Sequence, residues 1–147
     1  MSKALVILRH ENSLKIVAAY LQEKGIESVL VALDPVDLPD QTQTALTQIK
    51  DVLQDGVCII VLGTKVYDTV KREKTDPPEK LIDFLEFLKN NGGADIPICL
   101  THLSTMPDAL IEEIKQTRLC ATWVENDNLK NDGMNNLGPL ILKALDQ

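Results

Sequence analysis

Residues 4–33 read ALVILRHENSLKIVAAYLQEKGIESVLVAL, and this stretch decides the fold. Ala4 to Leu8 is an unbroken apolar run of strand length, the pattern of a β-strand buried on both faces. Apolar residues then recur as Leu14, Val17, Ala18 and Leu21, which predicts a helix from about Ser13 to Lys24 with Gly25 as its stop. Ser28 to Leu33 is again apolar and rich in valine and leucine, and the Asp34-Pro35 step breaks it. Strand, helix, strand in 30 residues is one βαβ unit.

The alternation continues down the chain. A second helix is expected over Thr42 to Gln54, with Ala45, Ile49, Val52 and Leu53 inward and Gly56 ending it. Val57 to Leu62 (VCIIVL) is a third strand. After a polar loop of mixed charge, Asp76-Pro77-Pro78-Glu79 has the form of a helix start: an N-cap, a proline in the first turn and a returning carboxylate. Leu81, Phe84, Leu85 and Leu88 form the stripe that this third helix buries. Ile96 to Leu100 is expected as the fourth strand, Pro107 to Thr117 as the fourth helix, Ala121 to Val124 as a short fifth strand, and Leu137 to Leu145 as the last helix. Five βα units with right-handed crossovers imply one α/β domain over residues 1–147. Its architecture is a flavodoxin-like three-layer sandwich, with a five-stranded parallel sheet of order 2-1-3-4-5 and helices on both faces.

Composition agrees with a packed domain and narrows function. Of 147 residues, 44% are hydrophobic and 25% charged, and the formal net charge of -7 gives no basis for nucleic-acid or anionic-membrane binding. No apolar run reaches about 18 residues and no leader precedes the first strand, so a cytoplasmic protein is expected. Cys58, Cys99 and Cys120 sit in or beside apolar runs without metal-ligand spacing and read as buried free thiols.

In a sheet of this kind ligands bind beyond the carboxyl ends of the strands. That rule nominates Arg9, His10, Glu11, Gly63, Thr64, Thr101, His102, Glu125 and Asn126. His10 and His102 follow the first and fourth strands, two inter-strand spacings or roughly 10 Å apart, too far to share a metal ion without a third ligand. Polar residues at solvated strand ends would satisfy the same pattern. No phosphate-binding glycine loop is present. The segment NDNLKNDGMNN (126–136) fails the calcium-loop pattern, since Leu129 and Lys130 occupy ligand positions. No metal and no cofactor are expected.

ILRHENSLKIVAAYLQEKGIESVLVA, DIPICLTH and ATWVEND together resemble the first, second, fourth and fifth units of the receiver domains of response regulators. The departures matter more. Receivers carry acidic residues after the first strand to hold magnesium, and Arg9 and His10 stand there; Gly63 stands near the position of the phosphoacceptor aspartate. Thr101 matches the family's hydroxyl residue, and Glu125 replaces its lysine. The resemblance therefore implies a pseudo-receiver: a non-catalytic signalling module, not phosphorylated on aspartate, that binds a protein partner or a second copy of itself. DPVDLPDQTQ and IIVLGTKVYDT resemble TIR domains, which implies an alternative, an NAD hydrolase or nucleotide-binding domain with Glu79 as catalytic residue. The helix cap by itself accounts for Asp76-Pro77-Pro78-Glu79 completely, and that is the favoured reading of Glu79.

Overall fold

The computed structural model describes residues 3–35, 38–63, 81–101, 112, 122–123, 138–139, 141–143 and 145. Its centre is a parallel sheet of β1 (Lys3–Leu8), β2 (Glu27–Ala32), β3 (Ile59–Gly63), β4 (Ile98–Thr101) and β5 (Thr122–Trp123), in the order β2-β1-β3-β4-β5. The first four strands, of four to six residues, make up most of the sheet. The fifth strand expected over 121–124 is present as a two-residue pairing, Cys99 with Thr122 and Leu100 with Trp123, and 121 and 124 lie outside the described residues.

Alternation along the buried strands creates two cores, one on each face. Leu5, Ile7, Ile60, Leu62, Ile98 and Leu100 point to the side covered by α2 (Thr42–Asp55) and α3 (Leu81–Leu88). Ala4, Val6, Leu8, Ile59, Val61 and Cys99 point to the other side, against Leu14, Val17 and Leu21 of α1 (Glu11–Glu23) and Ile141 near the C-terminus. Burying each large aliphatic side chain contributes roughly 1.5–3 kcal/mol before the opposing entropy. A one-residue slip of β1 would exchange the two sets of side chains, so the register is strongly specified.

Several boundaries differ from the sequence expectation, each for a local reason. Helix α1 starts two residues before Ser13, because extended His10 (φ -115°, ψ 137°) is its N-cap and contributes no side-chain bond. Gly25 ends the helix as expected, at φ 75°, with its amide on the Gln22 carbonyl. Ala18 is half-buried instead of inward, and so is Val52 of α2, whereas Leu46 is buried. Strand β3 starts at Ile59: Val57 and Cys58 are apolar because they pack on the two cores, while the Cys58 amide bonds the Lys3 carbonyl. Strand β4 starts at Ile98, after Pro97, which has no amide to give to a ladder. Helix α3 buries Ile82 and Asp83 as well as its expected stripe, then widens over Lys89–Gly93, where Gly92 takes φ 111°. The expected cap at Asp76 to Glu79 lies outside the described residues. So does the fourth helix except at residue 112, which is helical, as are 138–139, 141–143 and 145 near the C-terminus. Of the cysteines, Cys99 is buried and Cys58 half-buried, both as free thiols; Cys120 is not among the described residues.

Candidate functional site

Strand register fixes which residues meet at the carboxyl edge of the sheet. Leu8 lies beside Ala32, and Gly63 beside Thr101. Because Ile7 lies beside Leu62, Leu8 and Gly63 follow at the same level. Ala32, Leu8, Gly63 and Thr101 thus form one row across four strands, and Arg9, His10 and Glu11 lie just beyond it. The expected nearness of Gly63 and Thr101 is direct pairing. Gly63 is buried, and the backbone of Thr101 closes β4.

Arg9, His10 and Glu11 point to three different ends. The Arg9 Nε lies 3.2 Å from Asp34 Oδ1, with the arginine side chain 27% exposed and the aspartate only 7%. The Nε–H is not aligned for a hydrogen bond, so this contact is an ion pair. His10 is exposed and supplies α1 with its backbone, its carbonyl accepting the Leu14 amide at 3.2 Å. Glu11 is exposed in the first turn of α1, where a carboxylate is favoured by the helix dipole. Thr64, His102, Glu125 and Asn126, together with Glu79, fall outside the described residues.

Asp34 is the site residue that the sequence reading passed over, having taken it only as half of a strand-breaking Asp-Pro step. The signal was available: β2 runs beside β1, so the residue just past each strand end must lie near the other. The Leu33 amide bonds the Leu8 carbonyl at 3.0 Å, extending the pairing one step and delivering Asp34 to Arg9. The Asp34 carbonyl then accepts the Leu38 amide at 2.8 Å, closing the turn that leads into α2. At the start of α2, Thr42 is buried and its hydroxyl has no hydrogen-bond partner among the described residues. Away from this edge, a shallow groove follows the outer face of α2, lined by Gln43, Thr44, Thr47, Gln48, Asp51 and Val52.

Chemically, the described part of the edge offers a cation tied to a carboxylate, an exposed imidazole and a glycine where β3 ends. Against solved structures the likeness runs the whole length of the chain. The receiver domain of NtrC4 from Aquifex aeolicus matches with a TM-score of 0.59 at 20% identity, over 99% of this chain and 98% of that one. The non-phosphorylated HemR receiver domain from Leptospira biflexa gives 0.64 at 11% identity, over 100% and 96%. The chemotaxis response regulator CheY4 of Vibrio cholerae gives 0.57 at 17% identity, over 98% of both. The chain has the fold of receiver domains. At these identities the likeness is one of fold. No protein-family model matches the sequence, and no curated protein matches it. Among the described residues of this receiver-like domain, no helix is long and apolar enough to cross a membrane.

Proposed function

We propose that this receiver-like chain is a pseudo-receiver: a non-catalytic signalling module of one domain that acts by binding a protein partner or a second copy, without phosphorylation on aspartate. The observation that carries this reading is the Arg9–Asp34 ion pair at the same edge of the sheet where β3 ends in Gly63. Transfer of a phosphoryl group to an aspartate needs a carboxylate nucleophile and a divalent cation that neutralises the phosphate. Gly63 has no side chain to accept the group. Asp34, the buried acid at this edge, is engaged by a guanidinium, and a cation at Arg9 repels a metal ion from the same space. His10 starts α1 with its backbone and Glu11 lies in its first turn, both side chains exposed, and neither they nor Thr101 are assigned chemistry. The reading calls for no cofactor, and a net charge of -7 favours a protein partner over nucleic acid or an anionic membrane.

The test is incubation with acetyl phosphate and Mg²⁺, followed by intact-mass measurement. The expected result is an unmodified chain, and an acid-stable, base-labile phosphoryl adduct on an aspartate would overturn the reading. Release of nicotinamide from NAD that is lost in a folded Glu79→Gln variant would favour the TIR-like alternative instead.

A further inference from the structure

Strand β2 is the edge of the sheet, with β1 on one side and no strand on the other among the described residues. An unpaired edge strand is a template for a further strand, and proteins blunt such edges with lysine, proline or a bulge. Here β2 carries none of these. Its sequence is ESVLVA and its pairing with β1 runs unbroken for six residues, so the strand is regular. Among the described residues the exposed large apolar side chains are Leu30, 38% exposed, and Leu38, 44% exposed. The first is on β2 and the second is in the loop that leaves it.

The charge around this edge is as informative. In a chain of net charge -7, two copies repel wherever carboxylates would meet. Lys50 of α2 sits over the Phe87 ring of α3 at 5.6 Å, so the opposite flank of α2, about 200° around the helix, faces the β2 edge. That flank carries Gln48 and half-buried Val52, both uncharged, while exposed Asp51 lies with Thr44 further round, on the outward face of the helix. The carboxylate on the flank itself, Asp55, is paired with Lys3 Nζ at 3.1 Å. Across residues 27–33 the only charged side chain is Glu27.

We infer that a second copy of this chain pairs with the β2 edge, the two β2 strands running antiparallel about a two-fold axis through Leu30. This rests on the interaction-module reading and names its surface and occupant. The axis sets Leu30 against Leu30, Val29 against Val31 and Ser28 against Ala32, so that opposed residues keep the same face of a sheet continuous through both copies. Glu27 then faces Leu33 of the other copy, and no like charges are opposed. A parallel arrangement would set Glu27 on Glu27, which argues against it. Leu30, exposed in one chain, is covered by its counterpart.

Sedimentation equilibrium of the full chain over micromolar to submillimolar concentrations tests the inference. The wild type is expected to dimerise, and Leu30→Lys to be monomeric with an unchanged circular dichroism spectrum. Gln48→Lys, on an exposed helical position that leaves the strand untouched, is expected to weaken the dimer as well. Opposed residues in such a pair place their Cβ atoms about 4.5–5.5 Å apart, longer than a relaxed disulfide allows but within reach of a short bis-maleimide. Leu30→Cys should therefore be linked by that reagent into a covalent dimer well above the wild-type background, while Glu27→Cys should not. A wild type that stays monomeric, a dimer indifferent to Leu30→Lys, or a dimer in which Leu30→Cys fails to cross-link would each overturn it. These outcomes are separate from the acetyl phosphate test, so the surface and the pseudo-receiver reading can fail independently.

Discussion

Arg9 and Asp34 tie together the ends of β1 and β2, with the guanidinium Nε 3.2 Å from a carboxylate oxygen that is almost wholly buried. The pair has a cost and a gain. An exposed ion pair is worth about 0–1 kcal/mol, whereas removing one partner of a buried pair costs about 3–5 kcal/mol because the other charge is left stranded. With one side chain 27% exposed and the other 7%, this pair falls between those limits.

Asp34→Ala is therefore expected to destabilise the fold by about 1–3 kcal/mol. Arg9→Ala is expected to cost about as much, because it leaves the more deeply buried charge without its cation. The double variant should lose less than the sum of the two. Urea denaturation of the four proteins measures this, and strictly additive losses would show that the two groups are not energetically coupled.

Gly138 offers a sharper test, because the ordinary helix expectation points the other way. Replacing a helical glycine by alanine usually stabilises by about 1 kcal/mol. Here a Cβ at residue 138 would lie 2.5 Å from Tyr20 Cζ and 2.6 Å from its hydroxyl oxygen. The Tyr20 ring, which also carries Lys24 Nζ at 5.6 Å, is half-buried against the core and must shift to admit the new atom. Gly138→Ala is expected to lower stability by about 1–3 kcal/mol, in the range of an overpacked contact. Adding Tyr20→Ala should remove most of that increment. A thermal melt in which Gly138→Ala raises the midpoint would refute the close approach.

The layered architecture was legible in the sequence because the strands are buried on both faces and read as continuous apolar runs. Ile59, Ile60, Val61 and Leu62 are all buried, alternately in the two cores. Boundaries were less legible where apolar character serves packing outside the ladder, as at Val57 and Cys58, and where a cap is made by backbone alone, as at His10. At the edge, the row containing Gly63 and Thr101 follows from strand order, so it could be anticipated. The Arg9–Asp34 pair was legible only by combining the expected strand order with the two strand ends, since neither residue's own neighbours in sequence point to it; the register that sets Leu8 beside Ala32 brings them together.

Thr42 shows a buried polar group whose cost can be measured. It lies on the inward stripe of α2 with Ala45, Leu46, Ile49 and Leu53, and its hydroxyl finds no partner among the described residues. Leaving such a group unsatisfied costs about 1–3 kcal/mol. Thr42→Val keeps the shape and removes the hydroxyl, so it is expected to raise stability by about 1 kcal/mol, whereas Thr42→Ser keeps the hydroxyl and loses a methyl group and should lower it. Chemical denaturation of the two variants distinguishes a stranded hydroxyl from one that bonds: in the latter case both would be destabilised.

Gly63 allows the pseudo-receiver reading to be tested by construction. Gly63→Asp installs a carboxylate at the end of β3, in the row with Leu8 and Thr101. If a missing nucleophile were the whole defect, acetyl phosphate and Mg²⁺ would now modify the chain. The expected outcome is that they do not, because Arg9 supplies positive charge where a divalent cation would have to bind, and metal neutralisation is what makes the transfer accessible. Folding must be verified by circular dichroism, since the site is buried and an unpaired carboxylate there is costly. Adding Arg9→Asp and His10→Asp supplies the oxygen ligands that hard divalent cations require, and only this triple variant is expected to respond to Mg²⁺, by a shift in its melting temperature. Phosphorylation of folded Gly63→Asp alone would show that Arg9 is no barrier and would leave the side chain at residue 63 as the single missing part.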